Sequence, residues 1–227
     1  MAEVYGEKPK KFTKEWWPYY WMYYKWQTIG VIFTIVAILV TVYQCKNREK
    51  FDLTVTYGAS ATIDQSTVDK LEVVFSSMAE DSDGDGHPNV YFQQLNFANI
   101  PGTEETDQAL QTKLDMGMTE DDSMLYIFDG NELAIMAQRK NSGEIYMNVH
   151  DWLDDEEFER LSEEEGKIIF NQEEIPIAVS IADSTIMKEH NINAKNMYVL
   201  VRMNYKDEEF PKSAQRSAIK IAKELLK

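Results

Sequence analysis

The longest apolar pattern in the chain runs from Trp26 to Tyr43, WQTIGVIFTIVAILVTVY, without one charged side chain. As a helix this stretch measures about 27 Å, close to the ~30 Å hydrocarbon core of a bilayer. A buried helix of a soluble protein can be equally apolar, so the flanks decide. Ahead of it, Trp16, Trp17, Tyr19, Tyr20, Trp21, Tyr23, Tyr24 and Trp26 crowd together. Amphipathic rings favour the headgroup region, where one edge is wet and the other apolar. The pattern predicts a basic and aromatic segment at 1–25, a transmembrane helix at 26–44 and a juxtamembrane linker at 45–50. Pro18 predicts that the aromatic stretch is a separate, broken or interfacial helix.

Past the linker, strands alternate with helices. Phe51–Tyr57 is rich in β-formers and closes at Gly58. Asp64 caps a helix whose apolar face is Val68, Leu71, Val74, Phe75 and Met78, the spacing of a 3.6-residue turn. A polar turn at Asp81–Pro88 leads into a strand at Val90–Phe97. Thr103, with Glu104 and Glu105, starts a second helix with Leu110, Leu114 and Met118 as its buried stripe. Met124–Phe128 is a short continuous apolar run, as in a strand covered on both faces.

A short helix is expected around Asn131–Ala137, then a strand near Ile145–Val149 and an acidic segment at Asp154–Glu165. Strands are read at Ile168–Phe170, Ile177–Ile181 and Tyr198–Met203, with Pro176 marking an edge or bend. Pro211 opens a closing helix with Ala214, Ala218, Ile221, Ala222 and Leu225 on one face. The opening order β-α-β-α-β implies an α/β fold. The expectation is one domain at 51–227 with a mostly parallel sheet and helices on both faces.

Charge divides the chain at the same place. Residues 1–50 hold eight Lys/Arg and four Asp/Glu; of the 23 basic and 39 acidic residues in all, 15 and 35 lie in 51–227, a balance of −20. Such a domain is repelled by phosphate backbones and anionic headgroups, which argues against nucleic acid and against lying on the membrane. Lys8, Lys10, Lys11, Lys14 and Lys25 precede the apolar helix, and Lys46, Arg48 and Lys50 follow it. This excess predicts a cytoplasmic N-terminus and an extracytoplasmic domain held by an uncleaved signal anchor in the cell membrane. The single cysteine, Cys45, excludes an intrachain disulfide. Bulky Tyr43 and Gln44 before it argue for a plain juxtamembrane cysteine over a lipidated one.

The stretch QTKLDMGMTEDDSMLYIFDGNEL and the later NVHDWLDD resemble one lobe of the extracytoplasmic solute-binding proteins of bacterial ABC transporters. The matching elements are a Q-x-K-L helix face at Gln111–Leu114, a strand ending in Asp at Leu125–Asp129, and a turn at Asp151–Leu153. The resemblance covers about residues 51–155 and implies a small-molecule solute site. Members of that family close two lobes on their solute, whereas the length here has room for one.

The sharpest local motif is Asp81-Ser-Asp83-Gly-Asp85-Gly86-His-Pro-Asn89. It satisfies D-x-D-x-D-G, in which carboxylates at alternate positions converge on calcium and Gly86 permits the sharp turn. Asp81, Asp83, Asp85 and Asn89 are the candidate ligands, and Ca²⁺ is the one cofactor suggested. Phe92 stands at the twelfth position, where a bidentate Glu is wanted. The alternative is an Asp/Gly-rich turn chosen for its turn chemistry.

Catalytic signatures are absent from the sequence. His87, His150 and His190 are scattered, and there is no G-x-S-x-G, P-loop or G-x-G-x-x-G. His150 with Asp151, Asp154 and Asp155 reads better as an acidic helix cap than as an acid/base group. Met116, Met118, Met124 and Met136 read as core filling rather than as a flexible ligand surface. The strand ends of an α/β sheet direct attention to Gly58–Thr62, Asn99–Thr103 and Asp129–Glu132. The expected function is a non-enzymatic membrane-anchored interaction module that meets a membrane or envelope protein, with a solute-binding or solute-sensing domain as the alternative.

Overall fold

Strand β1 (Leu53–Ala59) has no wet face: all seven of its residues are buried. It sits between β2 (Val90–Asn96) and β3 (Ser123–Asp129), parallel to both. Beyond β3 the sheet continues with antiparallel neighbours, β6 (Met197–Val201), β5 (Pro176–Ser180) and β4 (Ile168–Phe170), in the order β2-β1-β3-β6-β5-β4, so the chain reaches the edge strand β4 first and returns inward. The computed structural model describes residues 10–46, 51–82, 84–97, 108, 109, 112, 114, 123–203 and 212–227. The expected helix at Thr103, with Leu110 and Met118, falls mainly outside them, although Leu114 is buried.

The protein is α/β, and its sheet is mixed: parallel where crossover connections join the first three strands, antiparallel among β3, β6, β5 and β4. Strand residues of alternate parity enter two separate apolar clusters, because successive side chains point to opposite faces. Leu53, Val55, Tyr57, Leu125, Ile127, Val199 and Val201 belong to the first. It also takes in Val68, Leu71 and Phe75 of α2 (Gln65–Met78) and Ala218, Ile221 and Leu225 of α7 (Lys212–Leu225). Tyr126, Phe128 and Leu200 belong to the second, with Leu133 and Met136 of α3 (Gly130–Ala137). Each fully buried Leu, Ile or Phe contributes about 1.5–3 kcal/mol of transfer free energy. Leu71, Phe75 and Ile221, all 0% exposed, therefore tie α2 and α7 to the sheet.

Caps end the helices where the sequence places them. The Asp64 carboxylate accepts from the Thr67 N–H at 3.1 Å and from the Thr67 hydroxyl at 2.7 Å. With the Ser66 hydroxyl foremost, these bonds lower the Asp64 carboxyl to about 2. Small α4 (Ser142–Ile145), a 3₁₀ turn at Val149–Asp151 and α5 (Asp155–Ser162) follow α3. Here the expected strand at Ile145–Val149 is corrected. Only Tyr146 pairs, through a bridge to Arg202, because Asn148 caps the 3₁₀ turn by accepting from His150 N–H at 3.0 Å. The short α6 (Thr185–Glu189) carries no strong sequence signal and adds Met187 to the first cluster. Pro176 opens β5 opposite an irregularity between Ile169 and Phe170, so it marks a bend within the sheet.

The chain divides into two compact units, Met1–Glu49 and Lys50–Lys227. In the first, α1 (Trp16–Lys46) is one continuous helix, not the two pieces that Pro18 suggested. Pro18 lies in its first turn, where backbone N–H groups have no intrahelical acceptor, so its missing donor costs nothing there.

Gly58 is fixed by packing: a Cβ there would stand 2.8 Å from Phe128 Cδ1 and Cε1 and 3.0 Å from Phe97 Cε2. Gly58→Ala should destabilise the 50–227 unit by about 1–3 kcal/mol through overpacking, read as a lower urea midpoint. A paired Phe128→Leu should recover part of that loss.

Candidate functional site

In an open α/β sheet, ligands sit where strand order reverses, at the carboxyl ends of the strands. In this sheet the connection after β1 leads outward to β2, and the connection after β2 returns past β1 to β3. The switch point therefore lies at the ends of β1 and β3, and two of the three expected loops meet there. Asp129 Oδ2 accepts from the Ser60 N–H at 2.8 Å and from the Ser60 hydroxyl at 2.7 Å. Its Oδ1 accepts from the Asn131 N–H at 3.1 Å and the Glu132 N–H at 3.0 Å, capping α3. The third expected loop, Asn99–Thr103, lies outside the described residues.

Burial raises the Asp129 carboxyl, but the bonds from Glu132, Ser60 and Asn131 outweigh it and leave the group below the usual carboxylate range. Tyr57 is pushed up, first by burial and then by the negative Asp129. The end of β3 is tied on its other side as well. The Gly130 N–H donates to the Asn196 carbonyl at 3.0 Å, and a Cβ on Gly130 would stand 2.5 Å from Asn196 Oδ1. A latch thus joins loops 69 residues apart, and its carboxylate already carries four donors.

The structure also buries charges that sequence reading missed. Glu132 is 3% exposed and Arg202 1%. Both act on the Tyr146 hydroxyl, which burial and then the neighbouring Tyr126 raise well above its ordinary value. The Tyr126 and Tyr146 rings meet edge-on at 5.6 Å. The one sequence signal for this cluster is an Arg that directly follows the apolar run of β6.

The Asp-rich loop lies at the opposite, amino end of β1 and β2. Asp81 Oδ1 accepts from the Gly84 N–H at 2.6 Å and Oδ2 from the Gly86 N–H at 2.8 Å, while Asp85 accepts from the His87 N–H at 2.8 Å. Both ends of the loop are clasped by buried Asp52, which accepts from Ser82 N–H at 2.5 Å and Asn89 N–H at 2.7 Å. Asp52 is a further residue the motif did not reveal. Asp83 lies outside the described residues, and among those described no group of three His, Cys, Asp or Glu could hold a metal ion. Phe92, at the twelfth position, is 4% exposed in the core.

A groove of about 200 Å³ lies between α5, the end of β5 and the C-terminal helix, lined by Arg160, Glu164, Lys167, Ser180, Asp183 and Leu225. Lys167 is paired with Asp183 and lies 3.7 Å from Glu164, and its hydrogen bond to Asp183 raises it.

His150 is exposed and stacks on Phe158 at 3.6 Å, while Asp154 caps α5 through the Glu157 N–H at 2.8 Å. Met124 and Met136 are fully buried in different clusters; Met116 and Met118 lie outside the described residues.

α1 is long and apolar enough to cross a membrane: Trp16–Gln44 contains a window of mean hydropathy 1.9, and none of that window is buried. Its threonines donate to carbonyls one turn back, Thr34 to Gly30 and Thr41 to Ala37, each at 2.9 Å. No protein-family model, curated protein or solved structure matches the chain.

Because the folded Asp129 carboxyl lies below its unfolded value, its stabilisation is present above about pH 4 and is lost as pH falls through the folded value. Asp129→Ala should lower stability by about 1 kcal/mol at neutral pH, the scale of a lost helix cap. The gap from wild type should narrow in acid, as measured by urea unfolding of the 50–227 unit at both pH values.

Proposed function

We propose that the chain is a single-pass membrane protein with a cytoplasmic N-terminus. Its α/β unit is a non-enzymatic, extracytoplasmic interaction module that works beside a membrane or envelope protein, such as a transporter component. Anchoring is supported by α1, whose apolar surface is exposed on every side and whose threonine hydroxyls are satisfied within the helix. The lysine excess ahead of it supports the orientation.

The observation that carries the module reading is the Ser60–Asp129 latch. It occupies the switch point with the protein's own side chains, where a solute would otherwise sit. A partner would instead meet the outer surface, where Val73, Ile135 and Phe170 are exposed. A photo-crosslinker at Ile135 or Phe170 of the full-length protein should give a discrete adduct with a membrane or envelope protein in cells. Adducts spread evenly over abundant proteins would count against the reading.

The second reading is a solute-binding or solute-sensing domain like one lobe of an ABC-type binding protein, and the groove beside Lys167 and Asp183 favours it. A solute-dependent rise in melting temperature would select it. Calcium is proposed as a weak ligand of Asp81, Asp83, Asp85 and Asn89. Gly84 and Gly86 adopt φ of +77° and +87°, the left-handed turn the motif calls for. With Phe92 in place of the twelfth ligand, calorimetry on the full-length protein should show heat saturating only at about millimolar calcium, and none in Asp81→Asn. A flat wild-type titration removes calcium.

A further inference from the structure

The continuity of α1 creates a length problem. Its 31 residues make about 46 Å of helix, of which the charge-free part from Trp26 accounts for about 27 Å. Trp16–Lys25 extends about 15 Å further, more than the ~6 Å of one headgroup layer. In an upright helix, half of the aromatic surface would stand in water.

The aromatic residues are arranged to avoid that. Phe12, Trp16, Tyr20 and Tyr24 form a row along one face, with ring centroids 5.2, 4.8 and 5.5 Å apart; the last two pairs are stacked. The Tyr20 hydroxyl is bonded to Thr28 Oγ1 at 2.5 Å, and Thr28 Oγ1 donates to the Tyr24 carbonyl at 3.0 Å. A phenol that ordinarily seeks water is thus satisfied two turns deeper in the helix, so its ring can lie below the headgroups. That draws Lys25 below them too, and a lysine at such depth extends its ammonium back to the phosphate level. In the turn ahead of the helix, Lys10, Lys11 and Lys14 are exposed, and Glu15 is the one acid between Lys10 and Lys25.

We propose that Lys10–Lys25 is a collar for anionic phospholipid. Lys10, Lys11, Lys14 and the upward-reaching Lys25 take lipid phosphates, and the Trp16–Tyr20–Tyr24 row packs against acyl chains. Charge decides the occupant. Four lysines against one glutamate complement an anionic headgroup, whereas a second copy would set like charge against like. The collar rests on the proposed anchoring.

Full-length protein is reconstituted into nanodiscs of phosphatidylcholine with and without phosphatidylglycerol. Trp16, Trp17, Trp21 and Trp26 are four of the five tryptophans, so fluorescence quenching by brominated lipid reads the collar. Wild type should insert into both bilayers and be quenched preferentially by brominated phosphatidylglycerol, a preference that weakens with salt. The triple variant Lys10→Gln, Lys11→Gln, Lys14→Gln should insert equally and lose about tenfold in that preference, while Lys→Arg at the same positions keeps it. Equal quenching by both lipids in wild type, or an undiminished preference in the Gln variant, overturns the collar and leaves anchoring intact. Failure to insert into either bilayer overturns both.

Discussion

The structure of the 50–227 unit depends on β1 being sealed from water on every side. Its neighbours β2 and β3 pair with it on both sides, Leu53, Val55, Tyr57 and Ala59 enter the first apolar cluster, and Thr54 and Thr56 are buried on the other face. A strand in that position tolerates polar groups only where they find partners. Thr56 meets this condition by sharing a 2.7 Å hydrogen bond with Ser123 across the sheet. The same constraint sets Gly58, whose missing Cβ makes room for the Phe128 ring. It also brings the end of β1 against the end of β3, where Ser60 and Asp129 close on one another.

The edge of the sheet is managed by the same economy of polar groups. Strand β2 would leave outward N–H groups unpaired, but Ser76 Oγ accepts from Val90 at 3.0 Å and Glu72 from Phe92 at 2.9 Å. Side chains of α2 thereby cover the edge that a foreign strand would use. At the amino end of the sheet, Asp52 clasps the Asp-rich loop by both its ends. Both devices hold loops in place without adding apolar area, which suits a chain whose second unit carries a balance of −20.

The proposed function follows from contrast between the two units. α1 offers apolar surface all round and bonds its threonine hydroxyls to its own carbonyls, which suits a helix in lipid. The second unit carries a strong negative balance and ties Ser60 to Asp129 at the ends of β1 and β3. Anchored in this way, it would present a finished surface to a neighbour, and the small groove beside Lys167 is what a solute-binding reading has to rely on.

Sequence alone determined the features that repeat within a few residues. The charge-free run of α1, the cap at Asp64, the stripe Val68–Leu71–Phe75 and the doubly covered strand around Met124–Phe128 are all local periodicities, and each lies where the pattern put it. Tertiary structure decided what depends on distant partners. Asp129 and Ser60 are 69 residues apart, and Asp52 and Asn89 are 37 apart, so no window of sequence displays either pairing. The antiparallel half of the sheet and the burial of Glu132 and Arg202 have the same cause. Hydrophobic periodicity says which side of an element must be covered. It carries no information on which element does the covering, because that choice is settled by packing across the whole core.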